Sequence, residues 1–283
     1  MNLGIIPAVQ LSDTDLHQIG AILARAAQQE IMPLFRRLTA AQVRPKTSAF
    51  DVVTQADEAA EALITRELRA AFPGAIVIGE EATHGNPALL DAIATAELAF
   101  IVDPIDGTKN FACGLPLFGV MAAVTSRGQV QAGVIHDPLR GDFAYALRDQ
   151  GAWLQHADGT RVAMRVAAPV PVAQMEGIVG TTFLPEPLRT EVNSRLSRLA
   201  HTTWLRCSAH EYRTIAAGHC HILFYNKLMP WDHAAGWLLH REAGGYCAHF
   251  DGTPYLPTQR SGGLIYAPDE ASWRAVRAAL LED

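Results

Sequence analysis

The sequence predicts a mixed protein with an α+β half at residues 1–165, an α/β half at residues 166–283, and a cleft between them. Two amphipathic helical patterns open the chain, strand-like runs follow closely, and strands alternate with helices after about residue 165. The proline-rich stretch 167–173 marks the boundary. Because 49% of the 283 residues are hydrophobic, the chain can bury a substantial core.

Two helices are predicted near the start of the chain. Ser12 is a suitable N-cap for the first, because Asp15 follows three residues later and apolar residues then recur at helical spacing. The second covers residues 54–72, where alanine, leucine and isoleucine form one stripe and Pro73-Gly74 ends the pattern. Each helix therefore has an apolar face that a sheet can cover.

Strand-like runs follow these helices, namely AIVIG, AFIVD, FGVMAAVTS, VQAGVIHD and DFAYALRD. The last three are joined by short polar turns at 126–128 and 140–142, which is typical of an antiparallel meander. In the second half, runs such as MEGIVG, HILFYN and GLIYAP alternate with helical segments such as DHAAGWLLHREA and DEASWRAVRAALL. We therefore expect a meander packed on the two helices, followed by an α/β layer.

Composition argues against several functional classes. The formal charge is −6 and there is no long basic run, so we expect no nucleic-acid partner. No apolar segment approaches the ~18 residues of a membrane span, and the N-terminus lacks a secretory pattern, so we expect no membrane association. The four scattered cysteines indicate reduced thiols and a cytoplasmic location. Such an acidic chain needs bound cations to attract an anionic substrate.

The segment DPIDGT combines two carboxylates with a turn. An apolar run places Asp103 at the end of a strand, and Pro104 forces the chain to turn. Asp103 and Asp106 then flank one point in space, with the Ile105 carbonyl between them, and these hard oxygens suit Mg²⁺. An Asp-Pro turn followed by an Asp-Gly turn is the alternative, which the segment alone leaves open.

Small residues and further acids extend this pattern. Gly107 lets the backbone approach a ligand, and Thr108 lies where a helix can begin and present N–H groups to a phosphate. Glu80 and Glu81 end another apolar strand, and Asp232 begins a later helix. The alternative roles are a solvated loop for the two glutamates and helix capping for Asp232.

Three polar residues precede or open the second predicted helix, and they are Lys46, Thr54 and Asp57. Taken alone, they indicate a surface lysine, a helix cap and a first-turn acid that interacts with the helix dipole. Only their order relative to the other motifs points to chemistry.

That order resembles the inositol monophosphatase family of Mg²⁺-dependent, often lithium-inhibited phosphomonoesterases. GEE at 79–81, DPIDGT at 103–108, and WDHAAG at 231–236 with a following EAGG carry the resemblance, which extends from about residue 44 to 275. It implies the layered αβαβα sandwich of the sugar-phosphatase type, and a homodimer by analogy. It also implies a small phosphorylated substrate and two to three Mg²⁺ ions.

By position, the resemblance implies ligands for each ion. Glu80, Asp103 and the Ile105 carbonyl would hold the first Mg²⁺. Asp103, Asp106 and Asp232 would hold the second. Glu80 with waters would help to hold a weaker third, which also places Glu80 among the catalytic residues.

The resemblance further implies how phosphate and water are handled. Gly107 and Thr108 would give backbone N–H groups to phosphate, and Lys46 would lie near it. Thr108 and Asp57 would orient and deprotonate the attacking water. Because Mg²⁺ lowers the pKa of water and stabilises the leaving oxygen, we expect hydrolysis without a covalent phosphoenzyme.

The substrate contacts depart from the pattern of family members that act on inositol phosphates. Those members usually carry a glutamate seven residues before the WD aspartate, where this chain has Tyr225. They usually show a Gly-Ser/Thr-Ala run where this chain has Arg206-Cys207-Ser208-Ala209. Arg206, Ser208, Tyr225 and Asp232 are therefore the candidate substrate contacts. Inositol 1-phosphate leads, with histidinol phosphate, fructose 1,6-bisphosphate and 3′-phosphoadenosine 5′-phosphate as alternatives.

Two alternative functional classes, a non-catalytic regulator and a phosphodiesterase or nuclease, would each require sequence features that differ from those of a phosphatase. A non-catalytic regulator that acts through transcription-complex proteins, as some bacterial relatives do, is expected to show a decayed carboxylate set or a basic patch. A phosphodiesterase or nuclease needs a basic groove. The complete ligand set and the acidic balance favour a phosphatase for a small polyol or sugar phosphate.

Overall fold

The computed structural model describes residues 11–48 and 51–282. Its helices are α1 (Asp13–Ala26), α2 (Gln55–Ala71), α3 (Glu80–Gly85), α4 (Ala92–Thr95), α5 (Thr108–Ala112), α6 (Leu188–Arg195), α7 (Ser208–Ala216), α8 (Pro230–Glu242) and α9 (Glu270–Leu281). None of these helices is long and apolar enough to cross a membrane.

The strands fall into a two-stranded hairpin, a seven-stranded sheet and a five-stranded sheet. They are β1 (Val43–Ser48), β2 (Asp51–Thr54), β3 (Ile76–Gly79), β4 (Ala99–Asp106), β5 (Gly119–Ser126), β6 (Gln129–Asp137), β7 (Asp142–Leu147), β8 (Gly151–Gln155), β9 (Arg161–Ala163), β10 (Glu176–Val179), β11 (His201–Thr203), β12 (Ile222–Tyr225), β13 (Tyr246–His249) and β14 (Leu264–Ala267).

Both N-terminal helices begin as their sequences predict. The Asp15 backbone N–H donates to Ser12 Oγ at 3.2 Å, and the Ser12 N–H donates to Asp15 Oδ2 at 2.7 Å. Thr54 and Asp57 form the same reciprocal capping box at the start of α2. Such boxes pair backbone N–H groups that the first turn of a helix leaves without partners.

The seven-stranded sheet has the order β3-β4-β5-β6-β7-β8-β9. β3 and β4 are parallel and every later neighbour is antiparallel, so the predicted meander is confirmed. Side chains alternate between the two faces, as a strand's period of two requires. On β4, Phe100 and Val102 pack with α1 and α2, whereas Ala99 and Ile101 pack on the opposite face with α8.

The five-stranded sheet has the order β11-β10-β12-β14-β13, with β10, β11 and β12 parallel to one another. α7 and α8 lie between the two sheets, because Tyr212 and Leu238 share one buried cluster with Ile135 of β6 and Leu223 of β12. α6 and α9 cover the outer face of the five-stranded sheet in another cluster. The layers therefore run helix, sheet, helix, sheet, helix, and the expected αβαβα sandwich is confirmed.

Two glycines let α8 approach its neighbours closely. A Cβ at Gly133 on β6 would lie 2.7 Å from the Ala235 carbonyl oxygen, and a Cβ at Gly236 would lie 2.0 Å from the Tyr212 ring. Neither space is large enough for a methyl group. The absence of side chains at these two positions therefore sets how α8 is seated between the sheets.

The expected boundary at residue 165 falls between β9 and β10, where the chain leaves one sheet and enters the other. Helices from the second half nevertheless pack on the sheet of the first half. The division into two domains stays a prediction.

Candidate metal and phosphate site

Two aspartates of β4 and a third from the distant helix α8 meet at one point. One carboxylate oxygen from each of Asp103, Asp106 and Asp232 lies within 4.8 Å of the other two. A register shift between β4 and β5 separates Asp103 from Asp106, so that both side chains are buried at this position. The sequence pattern placed Asp103 at the end of its strand, whereas β4 continues to Asp106.

The N-terminal end of α7 fixes the Asp106 carboxylate. Ser208 Oγ donates to Oδ1 at 2.9 Å, and the Ala209 backbone N–H donates to Oδ2 at 2.6 Å. The Cys207 thiol lies 2.9 Å from the same Oδ2. Ser208, expected as a substrate contact, thus reaches Asp106, and it also lines the cavity described below.

Asp232 lies in the first turn of α8, which begins at Pro230 with Met229 at the N-cap position. The expectation that Asp232 itself begins this helix is therefore wrong by two residues, because Pro230 is already suited to the first helical position. The next residue, His233, is buried between Tyr212 Oη, 2.9 Å from its Nδ1, and the Lys227 carbonyl oxygen, 2.7 Å from its Nε2. These contacts hold the start of α8 in place.

The electrostatics of the aspartates favour a bound cation. Burial, followed by repulsion from Glu80 and Asp106, raises the pKa of Asp103 and of Asp232 well above the usual range. Asp103 Oδ1 is buried and has no hydrogen-bond partner among the described residues. An unpaired buried carboxylate oxygen is costly, and a hard divalent cation supplies both a partner and the missing positive charge. The donor set therefore fits Mg²⁺.

Glu80 lies on the wall of the same cavity but makes a different contact. Lys46 Nζ donates to Glu80 Oε1 at 2.7 Å and also to Glu81 Oε1. Burial alone would lower the pKa of Lys46, but the Glu80 and Glu81 carboxylates outweigh it and raise that pKa. Both glutamates belong to the short helix α3, and not to the solvated loop that was the alternative.

Glu61 of α2 anchors this helix. Its carboxylate accepts the backbone N–H groups of Glu81 and Ala82 at 2.7 and 2.8 Å. A Cβ at Gly79 would lie 2.2 Å from the Glu61 carboxyl carbon, so only glycine fits beside it. Burial raises the pKa of Glu61, and the two N–H groups oppose that rise. Glu61 thereby fixes where Glu80 enters the cavity.

Gly107 and Thr108 stand beside the aspartates. Gly107 has a φ of +85°, and a Cβ there would lie 2.9 Å from the Leu117 carbonyl oxygen. Thr108 begins α5, as the sequence predicts, and its Oγ1 lies 2.8 Å from the Ile105 carbonyl oxygen and 3.0 Å from Asp57 Oδ1. A carbonyl oxygen has two lone pairs, so Ile105 keeps one for a cation.

Asp57 has an environment suited to proton transfer. Burial raises its pKa to about 7, although the Thr54 hydroxyl and N–H oppose the rise. A carboxyl group with this pKa exchanges protons near neutral pH. The structure therefore joins a group that can accept a proton to the Thr108 hydroxyl that faces the cavity.

A cavity of about 440 Å³ is lined by Glu80, Thr108 and the three aspartates, and it extends beyond them. Tyr225 and Arg206 line its outer part. The Tyr225 hydroxyl donates to Glu211 Oε2 at 2.6 Å, and the Leu205 backbone N–H donates to Glu211 Oε1 at 3.1 Å. Burial raises the pKa of Glu211 to about 7. Tyr225 is thus bound to a buried carboxyl group at the edge of the cavity.

Comparison with known proteins gives the evolutionary context of this geometry. The sequence profile described as "Inositol monophosphatase family" matches residues 14–282. The chain belongs to the inositol monophosphatase family. Within it, a protein named Nus factor SuhB from Vibrio cholerae is 30% identical over 276 residues, which cover 94% of this chain and 95% of that protein.

Two similarities concern proteins named as phosphatases. A Thermotoga maritima protein named fructose-1,6-bisphosphatase/inositol-1-monophosphatase is 31% identical over 213 residues, or 74% of this chain and 76% of that protein. The solved structure titled Thermotoga maritima IMPase is 26% identical and superposes with a TM-score of 0.79, over 94% of this chain and 96% of that one. The fold is therefore that of the inositol monophosphatase family.

Motif-based reasoning did not find several residues that line the cavity or support its wall. Glu61 and Glu211 lie on helices where an isolated glutamate predicts a solvated face, and only the tertiary structure reveals their buried partners. Phe183, Trp204 and Lys227 line the outer cavity from loops that follow strands. The carboxyl ends of parallel strands are the one sequence-level signal that points to such loops.

Proposed function

We propose that the protein is a Mg²⁺-dependent phosphomonoesterase that hydrolyses a small polyol or sugar phosphate. The observation that carries this proposal is the convergence of one oxygen from each of buried Asp103, buried Asp106 and half-buried Asp232 within 4.8 Å. Asp103 Oδ1 has no hydrogen-bond partner among the described residues. Buried like charges at this spacing are unfavourable unless a cation joins them.

Asp103, Asp106 and Asp232 would hold Mg²⁺ at this point, and Glu80 with the Ile105 carbonyl would complete a set for two to three ions. When bound, Mg²⁺ supplies positive charge that lowers the pKa of water and stabilises the leaving alkoxide. The Asp106 oxygens are already restrained by hydrogen bonds.

This chain's own groups would handle the phosphate and the protons. Thr108 would orient the attacking water, and Asp57 would take a proton through the Thr108 hydroxyl 3.0 Å away. Gly107 and Thr108 would contribute backbone N–H groups, and Lys46 a positive charge, to the phosphate. The water oxygen forms the new bond to phosphorus as the bond to the alcohol oxygen breaks, so no phosphorylated side chain is formed.

A phosphate-release assay on the purified protein tests this proposal. We expect turnover of glycerol 2-phosphate or inositol 1-phosphate with Mg²⁺ and its loss after chelation. Histidinol phosphate, fructose 1,6-bisphosphate and 3′-phosphoadenosine 5′-phosphate complete the panel. Failure to release phosphate from every member would overturn the phosphatase proposal. Acid quenching that trapped a phosphorylated protein would contradict direct attack by water.

The names of the relatives favour a second candidate function. The Nus factor SuhB of Vibrio cholerae covers almost the whole chain, so a role in a transcription complex is a candidate for this chain as well. A pull-down with purified RNA polymerase tests it. Retention of wild type and of an inactive Asp103→Asn variant to equal extents would support a role that does not need catalysis, whereas no retention would exclude this contact.

The expected homodimer and the cytoplasmic location stay predictions. Sedimentation velocity of the purified chain measures its oligomeric state directly.

A further inference from the structure

Two hydroxyl groups on the wall of the cavity are each joined to a buried carboxyl group. Thr108 Oγ1 lies 3.0 Å from Asp57 Oδ1, and Tyr225 Oη lies 2.6 Å from Glu211 Oε2. Thr108 and Tyr225 line the cavity, whereas Asp57 is fully buried and Glu211 is 1% exposed. A hydroxyl group both donates and accepts hydrogen bonds, so it can pass a proton between a ligand and the carboxyl group behind it. The cavity therefore offers two routes for a proton.

Both carboxyl groups can exchange a proton near neutral pH. Burial raises the pKa of Asp57 and that of Glu211 to about 7. Direct hydrolysis of a phosphate ester needs a proton acceptor for the attacking water and a proton donor for the departing alcohol. Thr108 and Asp57 are proposed above for the water, so Tyr225 and Glu211 remain for the alcohol.

The two pairs interact with different parts of the proposed metal site. Asp57, on α2, lies within the field of Lys46 and Glu81. Glu211, on α7, lies within that of Asp106. A displacement at phosphorus needs the attacking and leaving oxygens in line, on opposite sides of the phosphate. Two pairs that stand at separate places can therefore serve one oxygen each.

The ring of Tyr225 is held in place at the end of β12 by its neighbours. Its centre lies 4.8 Å from that of the His233 ring, in an edge contact, and 5.6 Å from that of the Tyr212 ring. His233 follows Asp232 on α8, so the Tyr225 ring packs beside the segment that carries a proposed metal ligand. A donor that is already positioned needs little reorganisation when the leaving group departs.

The hydrogen bond between Tyr225 and Glu211 can run in either direction. When Glu211 is ionised, the Tyr225 hydroxyl donates to it. When Glu211 is protonated, its own O–H donates to Tyr225 Oη, and the Tyr225 proton can turn toward the cavity. The Leu205 backbone N–H donates to Glu211 Oε1 at 3.1 Å, which keeps that oxygen as an acceptor. The proton of Glu211 therefore belongs on Oε2, the oxygen that faces Tyr225.

We propose that Tyr225, with Glu211 as its source of protons, is the acid that protonates the leaving alcohol. As the bond between phosphorus and the alcohol oxygen breaks, that oxygen takes the Tyr225 proton and Tyr225 Oη takes the proton of Glu211. Glu211 is left as a carboxylate and regains a proton from water before the next turnover. The inference rests on the phosphatase function proposed above and adds Tyr225 to its catalytic residues.

Glu211 is needed because Tyr225 alone is a weak acid. Burial, followed by the charge of Glu211, raises the pKa of the Tyr225 hydroxyl well above its usual range. A proton that moves from Glu211 to Tyr225 in the same step avoids a buried phenolate beside a carboxylate. An alkoxide is a strong base and needs this proton, whereas 4-nitrophenolate is a weak base and departs without it.

Two substrates that differ in the basicity of the leaving group isolate this step. Glycerol 2-phosphate releases an alkoxide, and 4-nitrophenyl phosphate releases 4-nitrophenolate. For both substrates, kcat and KM are measured with Mg²⁺ in wild type, Tyr225→Phe, Glu211→Gln and Tyr246→Phe. Glutamine keeps the shape of Glu211 but has no carboxyl proton to give. Tyr246 is a half-buried tyrosine like Tyr225, but its ring packs on Trp273, away from the cavity, so it is the matched control.

In Tyr225→Phe and in Glu211→Gln, we expect kcat for glycerol 2-phosphate to fall about a hundredfold, the lower end of what a general acid contributes. The fall for 4-nitrophenyl phosphate should be much smaller, and KM should change little for either substrate. Tyr246→Phe should keep the wild-type kcat for both. Equal losses of kcat on the two substrates, or a rise in KM with kcat unchanged, would overturn the inference.

A measurement on wild type decides the question even if a variant does not fold. Across a series of substituted phenyl phosphates and alkyl phosphates, kcat should depend only weakly on the basicity of the leaving group, because the acid neutralises the departing oxygen. A steep dependence in wild type would contradict protonation of the leaving group.

Failure of the two proposals can be told apart. If wild type releases phosphate from none of these substrates, the phosphatase function is wrong and this inference fails with it. If wild type hydrolyses both glycerol 2-phosphate and 4-nitrophenyl phosphate, and Tyr225→Phe keeps the wild-type ratio of the two kcat values, only the proton-donating role is wrong.

Discussion

The cavity has two parts that differ in how their side chains are held. We call them the inner part, formed by Glu80, Asp103, Asp106, Thr108 and Asp232, and the outer part, formed by Phe183, Trp204, Arg206, Tyr225 and Lys227. The inner part is charged and at least half-buried, and hydrogen bonds hold its Asp106 carboxylate, as three contacts show. The outer part presents two exposed rings and two cations on loops, beside half-buried Tyr225 at the end of β12.

This difference separates the chemical step from recognition. Charges that act on a reacting phosphate must keep fixed positions, and the inner part draws its ligands from a strand and two helices. Recognition tolerates change, because loops at strand ends can vary without disturbing the sheet. Substitutions in the inner part should therefore abolish turnover for every substrate, whereas those in the outer part should change which substrate is preferred.

The largest effect is expected for Asp103→Asn in the inner part. The amide keeps the size of the side chain but removes a charge from the proposed metal site, so phosphate release from glycerol 2-phosphate should fall at least about a hundredfold. Thermal unfolding in chelator should show equal or greater stability, because one of the repelling carboxylates is gone. Asp91→Asn, at an exposed position, is the control. Wild-type activity in Asp103→Asn would remove the metal assignment.

The next largest effect is expected for Glu61→Gln, which tests whether Glu61 positions Glu80 of the inner part without contacting the substrate. In Glu61→Gln, one oxygen that accepts an N–H group becomes an amide that repels it, so α3 and Glu80 should shift. We expect the Mg²⁺ concentration for half-maximal activity to rise by about 10–100-fold, with kcat largely recovered at saturating Mg²⁺. Glu67→Gln, on the same helix but in a surface ion pair with Arg25, should leave the Mg²⁺ requirement unchanged. Equal behaviour of the two variants would contradict this role.

A smaller, pH-dependent effect is expected for Tyr225→Phe in the outer part. The folded-state pKa of Glu211 is raised to about 7 by burial, so the folded protein holds this proton over a range where the unfolded chain has lost it. The Tyr225 hydroxyl stabilises the ionised form. Tyr225→Phe should therefore cost about 1.5–3 kcal/mol above pH ~7, where Glu211 is ionised, and much less near pH ~5.

Urea denaturation at the two pH values measures this difference. Tyr246→Phe, whose ring packs on Trp273 near the C-terminal helix, is the control and should show no such dependence on pH. A cost for Tyr225→Phe that is the same at both pH values would show that the hydroxyl does not act through the Glu211 carboxylate.

The smallest effect is expected for Arg206→Gly. Arg206 has a φ of +56°, which glycine adopts without strain, so stability should stay within about 1 kcal/mol of wild type. Loss of the cation should raise KM for an anionic substrate by about fivefold at low salt, and less at high salt. Arg127→Gly relieves a similar positive φ of +48° at the β5–β6 turn and should leave KM unchanged. A ratio of KM between Arg206→Gly and wild type that does not change with salt would argue against an electrostatic role.

Sequence reasoning predicted the inner part better than the outer part, and the cause is physical. The start of α1 and α2, the meander and the start of α5 depend on local signals such as caps, alternation and glycine. The aspartate cluster was predicted from the resemblance of the motif order to a known family, because each motif alone also fits a turn or a helix cap. The prediction that α8 begins at Asp232 was wrong, because Pro230 already occupies the first helical position.

The outer part could not be predicted, since its geometry depends on which strands become neighbours. Trp204 and Phe183 follow strands of only three and four residues, whose pairing is decided by the five-stranded sheet as a whole. The sequence around Glu211 is that of an ordinary exposed helical glutamate. Its partner Tyr225 is fourteen residues away, and only the tertiary structure brings the two together.

The seating of α8 between the sheets, which Gly133 and Gly236 permit, makes the proposed metal site a joint between the two layers. Asp103 and Asp106 belong to the seven-stranded sheet. Asp232 belongs to α8, which packs on the five-stranded sheet as well. An ion bound by all three would therefore connect the two layers, and its binding would stabilise both against unfolding. Loss of the ion would then lower both the catalytic activity and the stability of the layered fold.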